Sequence, residues 1–187
     1  MITSFFKGSE TLSKEGKQFE QAIETSAEEQ NIFYFRVRDV NPMAIKPKFK
    51  LPQNKYDCLL YYKDHLFPIE MKSTKSKSVS FSESIIKQHQ IDNLVEASKF
   101  DGVIAGFIFN FREPDNKAYF VHISDFVKYK HIAENQLEHT YKTKINKSSI
   151  PIGICREIGI ELKNVKKVKK YRYYLKMLFD ELIDKYS

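Results

Sequence analysis

Residues 56–90 decide the predicted fold and function, and they read YDCLLYYKDHLFPIEMKSTKSKSVSFSESIIKQHQ. The run 56–62 is rich in Tyr and Leu and contains neither Pro nor Gly, which is typical of a β-strand. A second short apolar run covers 66–71, and a polar, turn-like segment that begins with Lys63 and Asp64 separates the two runs. The pattern predicts an antiparallel hairpin whose turn is centred on Lys63 and Asp64.

This hairpin would bring three charged side chains together. With Lys63 and Asp64 at the centre of the turn, Asp57 lies directly opposite Glu70. Opposed residues of an antiparallel pair share one face of the sheet, with Cβ atoms about 5 Å apart. Because side chains alternate along a strand, Lys72 lies on the same face as Glu70. We therefore expect one cluster of two carboxylates and one lysine.

Such a cluster suits a metal site for phosphodiester chemistry. Neighbouring carboxylates on an apolar sheet repel each other and are stabilised by a cation. Hard oxygen ligands suit Mg²⁺, or Mn²⁺ in its place, with water and a substrate phosphate completing the coordination. Lys72 would orient or deprotonate the attacking water, or hold the scissile phosphate. The alternative is an ordinary Glu–Lys pair on a solvated sheet face, which stabilises a protein little.

Several short motifs occur in order along the chain. They are GKQFE at 16–20, the aspartate at 57, EMKSTK at 70–75, SF at 80–81, HQI at 89–91, the strand-like runs 106–111 and 118–121, and, more loosely, 150–160. This ordered series resembles the RecU family of Holliday junction resolvases, which belongs to the PD-(D/E)xK nuclease superfamily. The resemblance covers roughly residues 13–162.

The resemblance implies a fold, an activity and roles for individual residues. The fold would be α/β, with a restriction-endonuclease-like mixed central sheet flanked by helices. The activity would be Mg²⁺-dependent cleavage of Holliday junctions in recombination, by a homodimer whose two sites cut two strands. Asp57 and Glu70 would be metal ligands and Lys72 the catalytic lysine. Glu20 would be an accessory carboxylate and metal ligand from the first helix, and Gln90 would face the same site.

Two departures from the family leave other functions open. RecU proteins carry a long stalk before the catalytic aspartate, whereas the interval 41–55 is short here, and Leu59 stands where the family has a glycine. An enzyme for flapped, nicked or linear DNA would fit a missing stalk. A non-catalytic nucleic-acid-binding protein on the same fold is the alternative from another class, although Asp57, Glu70 and Lys72 are all present.

Composition favours one DNA-binding domain over residues 1–187. Lys and Arg outnumber Asp and Glu by 31 to 24, and the sequence pI of about 9.2 favours a polyanionic partner. No stretch is long and apolar enough to span a membrane, and the N-terminus lacks the apolar core of a signal peptide. The two cysteines show no metal-ligand spacing, so we expect buried thiols in a cytoplasmic protein.

Three basic segments are candidates for contact with the phosphates of branched DNA. They are a finger at 41–55, the polar loop 72–77 that follows the second strand, and a basic amphipathic helix predicted over 163–186. Solvated faces without DNA contact are the alternative for each. The candidate residues are Lys46, Lys48, Lys50, Ser73, Thr74, Lys75, Lys77, Lys166, Lys167, Lys169, Lys170 and Arg172.

The other elements follow from local patterns. Ser13 is a candidate N-cap for a helix that runs to about Gln30, and its apolar stripe repeats every three to four residues. Ser82 and Ser124 are candidate N-caps of two later helices, the first ending near residue 98. The apolar run 100–111 predicts a buried strand, and 118–123 predicts the strand that returns beside it.

Two further side chains each have two interpretations. Glu20 lies at the edge of the apolar stripe of the first helix, from where its carboxylate could point into a cleft. A solvated glutamate is the alternative. His89 is a candidate ligand or base on the helix that carries Gln90, and the alternative is a structural histidine.

Overall fold

The computed structural model describes residues 14–37, 54–168 and 170–187, and its framework is a mixed six-stranded sheet with helices on both faces. The predicted α/β class, a mixed central sheet flanked by helices, is confirmed. In chain order the elements are α1 (Lys14–Glu29), β1 (Phe33–Arg36), β2 (Cys58–Tyr62), β3 (His65–Thr74), β4 (Ser78–Ser80), α2 (Gln88–Ala97), β5 (Gly106–Phe111), β6 (Lys117–His122), α3 (Ile123–Asn135), β7 (Ser149–Pro151), α4 (Ile152–Ile158), β8 (Ile160–Glu161), β9 (Asn164–Lys166), β10 (Tyr171–Tyr173) and α5 (Leu175–Tyr186).

The sheet has the strand order β1-β2-β3-β5-β6-β8. Strands β1, β2 and β3 pair antiparallel, β3 pairs parallel with β5, and β5, β6 and β8 again pair antiparallel. The single parallel pair needs a crossover, and the chain makes it through α2. Strands β4 and β7 form a small separate sheet, as do β9 and β10.

The hairpin between β2 and β3 has the register predicted from sequence. Tyr62 pairs with His65, so Lys63 and Asp64 are the two turn residues, and both have positive φ angles, of 45° and 61°. Two left-handed residues are what a two-residue hairpin turn requires. One step beyond the last strand pair, the Asp57 N–H donates to the Ile69 carbonyl over 3.1 Å. Asp57 therefore lies opposite Glu70.

Two hydrophobic cores cover the two faces of the sheet. Helices α1 and α5 pack with Phe67, Ile69 and Met71 of β3 in the first core. The second core contains residues of α2, α3 and α4. Glu70 and Lys72 point to this second face, because their partners on the parallel strand β5 are residues 107 and 109, which belong to the second core. Cys58 and Cys155, as expected, are buried free thiols.

The first helix is close to its prediction. Phe19, Ile23 and Ala27 form the expected buried stripe of α1. The predicted N-cap, Ser13, lies outside the described residues. Within the described ranges, no helix combines the length and the apolar character needed to cross a membrane.

The prediction of one long basic helix over 163–186 is wrong. Only Leu175–Tyr186 is helical, and the basic half forms the hairpin of β9 and β10. Tertiary contacts explain the difference, because Tyr173 is buried against Phe19 with an edge-to-face ring contact of 5.4 Å. The Tyr173 N–H also donates to the Ser26 hydroxyl over 3.0 Å. Packing onto α1 thus outweighs the helical propensity of the lysines.

Local capping decides where the later helices begin, and both predicted caps are wrong. Ser82 begins a turn, since its carbonyl accepts from the N–H groups of residues 85 and 86, and α2 starts only after Lys87. The cap of α3 is His122, whose side chain accepts from the Ser124 N–H. In both places the serine is suited to capping, but a nearby residue, Lys87 or His122, is the N-cap instead.

The strand boundaries also differ from prediction. Residues 72–77 are not one loop, because the parallel pairing of β3 with β5 continues to Thr74 opposite Phe111. The buried strand begins at Gly106 rather than at Phe100, which is 64% exposed. A Cβ at Gly106 would lie 2.4 Å from the Val121 carbonyl oxygen, so close approach of β6 requires a glycine there.

Candidate active site at the hairpin of β2 and β3

Asp57 is held by backbone groups of both neighbouring strands. Its carbonyl accepts from the Val37 N–H over 3.1 Å, and its own N–H pairs with Ile69. Its side-chain Oδ2 accepts from the Met71 N–H over 2.7 Å. The carboxylate is therefore fixed by the backbone of the strand that carries Glu70.

Glu70 is the most buried acidic group of this site, at 1% exposure. Its Oε2 accepts from Gln90 Nε2 over 2.6 Å, and Lys72 Nζ lies 3.6 Å from the same oxygen. The side chain of Lys72 is 17% exposed, so its ammonium is close to the protein surface. The structure thus brings together four residues that the sequence analysis predicted for one site.

The start of α2 orients Gln90. Its Oε1 accepts from the backbone N–H of Lys87, the N-cap residue, over 3.1 Å, while its Nε2 donates to Glu70. A glutamine at the third helical position commonly makes this reciprocal capping contact. One side chain therefore both stabilises the helix start and holds the Glu70 carboxylate.

Lys72 does not fully offset the burial and the mutual repulsion of the Asp57 and Glu70 carboxyl groups. Burial raises the pKa of Glu70 well above its usual range, and the charge and hydrogen bond of Asp57 raise it further. Lys72 lowers the same pKa but does not cancel the effect of burial. Desolvation and a like charge both disfavour ionisation of a carboxyl group. A divalent cation between these two carboxylates would relieve the repulsion, and oxygen donors suit Mg²⁺.

Glu20 is buried and lies near the same end of the hairpin. Its Oε2 pairs with Arg36 Nη2 over 2.5 Å, so the solvated alternative for this residue is wrong. Burial, followed by the charges of Asp57, Glu70 and Glu20, raises the pKa of the Cys58 thiol well above its usual range. Cys58 therefore stays a protonated thiol, and Glu20 is near enough to add to this effect together with Asp57 and Glu70.

The number of protein ligands to a metal is a separate question. Across residues 14–37, 54–168 and 170–187, no three or more His, Cys, Asp or Glu side chains are grouped so as to hold a metal ion. Asp57 and Glu70 supply two carboxylates, and the ligand role of Glu20 stays a prediction. His89 is half-buried in the first turn of α2, and its role also stays a prediction.

The candidate DNA-binding residues lie on different surfaces. Thr74, Lys75 and Lys77 follow Lys72 at the end of β3, with both lysines exposed. Ser73 lies on the opposite face of β3 from Lys72, because side chains alternate along the strand. Residues 41–53 of the finger, which include Lys46, Lys48 and Lys50, and Lys169 lie outside the described residues. The remaining candidates, on the hairpin of β9 and β10, are Lys166, Lys167, Lys170 and Arg172.

The hairpin residues differ in their exposure. Lys166, Lys167 and Lys170 are exposed. Arg172 is partly buried, and its Nε lies 2.8 Å from Glu29 Oε2 of α1. This ion pair docks the hairpin on α1, so Arg172 has a structural contact that sequence reasoning did not anticipate.

Sequence reasoning also missed a group of buried polar residues on the other face of β3. Asn110 is almost fully buried in β5, and its amide bonds to Ser73 and Asn116. Arg112 donates from Nη1 to the Ser73 hydroxyl over 3.0 Å. The available signal was the single amide in the otherwise apolar strand GFIFNF.

Comparisons with known proteins show the family to which the chain belongs. A family model described as "RecU: Recombination protein U" matches residues 14–169, a range that contains every predicted catalytic residue. The SPbeta prophage-derived uncharacterized protein YotM of Bacillus subtilis (strain 168) is 57% identical over 173 residues, which cover 92% of this chain and 89% of that protein. The structure of Archaeoglobus fulgidus Hjc, a Holliday junction resolvase, matches with a TM-score of 0.49 at 14% identity, over 78% of this chain and 95% of Hjc.

Proposed function

Because this chain belongs to the RecU family of recombination proteins, we propose that it is a Holliday junction resolvase that cleaves DNA with the help of Mg²⁺. The family is one of DNA nucleases with a restriction-endonuclease-like fold, and the mixed sheet between two helical layers agrees with that fold. The observation that carries the proposal is the pairing of Asp57 with the buried Glu70 on one face of the hairpin, with Lys72 beside Glu70.

The donor set fits a divalent cation. Asp57 and Glu70 would hold Mg²⁺, or Mn²⁺ in its place, because neighbouring carboxylates, one buried and one half-buried, are stabilised by a shared cation. The metal would polarise the phosphate and lower the pKa of a bound water. Glu20 is proposed as an accessory carboxylate, since it is buried at the same end of the hairpin.

The protein groups around Glu70 have distinct roles in this proposal. Gln90 holds the carboxylate through its amide, and the Met71 N–H holds Asp57, so neither carboxylate must reorganise when DNA binds. Lys72 extends from the buried pair towards the surface. Its ammonium is proposed to hold the scissile phosphate, or to exchange a proton with the attacking water.

The DNA contacts outside the cluster are proposed to be phosphate contacts without base recognition. Lys75 and Lys77 follow the catalytic strand directly, and Lys166, Lys167 and Lys170 lie on the exposed hairpin. A homodimer would place one active site on each of the two strands that a resolvase must cut. Junction, rather than flapped or linear DNA, is the proposed substrate because the family match spans most of the chain.

A cleavage panel tests the proposal. Four-way junction, flap and linear duplex DNA are incubated with the protein in Mg²⁺, in Mn²⁺ and in EDTA, alongside Glu70→Gln and the control Lys117→Ala. Lys117 pairs with Glu161 over 2.7 Å at the other end of the sheet, so its variant removes a lysine of a Glu–Lys pair outside the cluster. We expect metal-dependent cutting of the junction by wild type and Lys117→Ala but not by Glu70→Gln.

The panel also separates the alternatives. If flap or linear DNA is cut in preference to the junction, the proposed active site stands but the proposed substrate is wrong. Tight junction binding with no cleavage in either metal would favour the non-catalytic DNA-binding protein. Cleavage by Glu70→Gln at the wild-type rate would remove this cluster from consideration.

A further inference from the structure

A second candidate site lies on the face of the sheet opposite the carboxylates. A cavity of about 590 Å³ opens between the first turns of α1, the end of β5 and strand β10. This volume is within the range of small-molecule binding sites, roughly 300–1,000 Å³. Its ends are marked by Lys14 of α1 and Arg112 just after β5.

The charge of the cavity favours an anion. Four cationic side chains line it, and Glu15 is the one acidic residue among its described lining residues. Cations that converge on one concave surface raise the local concentration of anionic ligands. The four are Lys14, Lys17, Arg112 and Lys170.

The remaining wall combines four amide side chains and Ala22 with three aromatic rings. Tyr171 of β10 lines the cavity and is half-buried, and Phe19 and Tyr173 complete the apolar wall. Phe19 and Tyr173 contact each other edge to face, which leaves Tyr171 as the more accessible ring. Nucleobases stack on such rings whatever their sequence. A nucleotide has both an anionic phosphate, which suits the cations, and a flat base, which suits Tyr171.

A buried chain of hydrogen bonds fixes the arginine of the cavity. Arg112 Nη1 donates to Ser73 Oγ over 3.0 Å, and Ser73 Oγ donates to Asn110 Oδ1 over 2.8 Å. Asn110 Nδ2 then donates to Asn116 Oδ1, and Asn116 Nδ2 donates to the Tyr173 hydroxyl, each over 3.0 Å. Buried polar groups are costly unless bonded, and this satisfied network holds the guanidinium in one place before any ligand arrives.

We propose that this cavity binds a single nucleotide, either an unpaired nucleotide of the DNA substrate or a free mononucleotide. Arg112 and the neighbouring lysines would hold the phosphate, and Tyr171 would stack on the base. This inference rests on the proposed DNA-processing function. Ser73, which holds Arg112, directly follows Lys72 in β3, so this strand carries Lys72 on one face and the support of Arg112 on the other.

Binding assays without divalent cation test the cavity separately from catalysis. Fluorescence polarisation in EDTA compares a 5′-phosphorylated single-stranded tetranucleotide with a closed-ended duplex that has no unpaired nucleotides. Arg112→Gln removes the fixed cation, and Tyr171→Leu removes the stacking ring. The matched controls are Tyr171→Phe, which keeps a ring, and Lys128→Gln, which removes an exposed charge on α3.

We expect Arg112→Gln and Tyr171→Leu each to weaken tetranucleotide binding about tenfold, as a lost charged hydrogen bond or stacked base predicts. Duplex affinity should change by less than about twofold, and both controls should bind as wild type does. Thermal unfolding of each variant verifies that the fold is kept. Displacement of the tetranucleotide by free dAMP at about 1 mM would identify a mononucleotide as sufficient, whereas displacement by oligonucleotide alone would identify the DNA strand.

Two outcomes would overturn the inference. Equal losses on tetranucleotide and duplex would make the cavity part of a general phosphate-binding surface. Unchanged tetranucleotide binding by folded Arg112→Gln and Tyr171→Leu would show that the cavity binds no nucleotide. Neither outcome depends on cleavage, so failure here is distinct from failure of the proposed nuclease activity, which the metal-dependent panel measures.

Discussion

The two faces of β3 carry two polar clusters that differ in how completely they are satisfied. On one face, Glu70 and Asp57 place two carboxyl groups in contact, and burial raises the pKa of Glu70. On the other, Ser73 and Asn110 belong to a network without carboxyl groups, which bonds the Arg112 guanidinium at one end. Buried carboxyl groups with a perturbed pKa are typical of functional sites, whereas a fully hydrogen-bonded network is typical of a part that positions other groups.

The largest expected effect is on the face that carries Glu70. Asp57→Asn should lower cleavage at least about a thousandfold, because it removes a carboxylate from the proposed metal site, and several kcal/mol of barrier correspond to that factor. Junction binding in EDTA should stay within about threefold of wild type, since Asp57 contacts no proposed phosphate site. Single-turnover cleavage and polarisation measure the two quantities, and near-normal cleavage by Asp57→Asn would contradict the difference between the faces.

The next effect concerns the lysine beside Glu70. Lys72→Ala should lower the cleavage rate about a hundredfold or more, the range of a lost proton-transfer or phosphate-holding group. Divalent-cation binding should remain, because the ammonium is not a metal ligand, and calorimetric titration with Mn²⁺ measures it. Lys117→Ala is the control, from the Glu–Lys pair outside the cluster. A Lys72→Ala rate equal to that of the control would reduce the Glu70–Lys72 contact to a structural ion pair.

On the face that carries Ser73 the effect should be on stability rather than on metal binding. Asn110→Ala should lower the free energy of unfolding by about 2 kcal/mol, because Ser73 and Asn116 lose a buried hydrogen-bond partner. Urea unfolding measures this loss. Mn²⁺ affinity of the folded variant should match wild type. A weakened metal site in folded Asn110→Ala would mean that the two faces are coupled through β3.

The smallest expected effect is a pH-dependent change in stability, which arises only on the face that carries Glu70. The folded-state pKa of Glu70 is raised, so its contribution to stability is present below the unfolded value and is lost as pH rises through the folded pKa. Without divalent cation, Glu70→Gln should therefore be more stable than wild type at high pH, by about 1.4 kcal/mol per unit of raised pKa, and this gain should shrink as pH falls.

Unfolding midpoints across pH, with and without Mg²⁺, measure this difference. Saturating Mg²⁺ should stabilise wild type more than Glu70→Gln, since a ligand that binds only the folded state adds stability. Glu161→Gln is the matched control and should change stability by less than about 1 kcal/mol at every pH. A pH-independent difference between Glu70→Gln and wild type would contradict the raised pKa.

Local rules predicted the active-site hairpin because its register depends on few residues. A two-residue turn at Lys63 and Asp64 and the two-residue period of strands together place Asp57 opposite Glu70. The buried stripe of α1 followed from its helical period in the same way. The motif that ends in Gln90 indicated a side chain at the site, although only the structure shows that it caps α2 while it binds Glu70.

Other features depend on residues far apart in the chain. The segment 163–174 has the lysines of a helix and the alternating tyrosines of a strand, and contact with α1 selects the strand. Arg36 beside Glu20, and Arg172 beside Glu29, pair residues whose separation along the chain carries no periodic signal. Ser82 is a good capping residue by local rules, and the chain nevertheless begins α2 at the residue after Lys87.

The sequence by itself determined the hairpin register and the cluster of Asp57, Glu70 and Lys72, because periodicity and turn length act over neighbouring residues. The ordered motifs shared with the family implied the α/β class. Tertiary structure decided the burial of Glu20, the fold of the basic segment before α5 and the network that holds Arg112. These depend on which elements pack together. Packing free energy outweighs local propensities of a few tenths of a kcal/mol per residue, and a linear pattern does not record it.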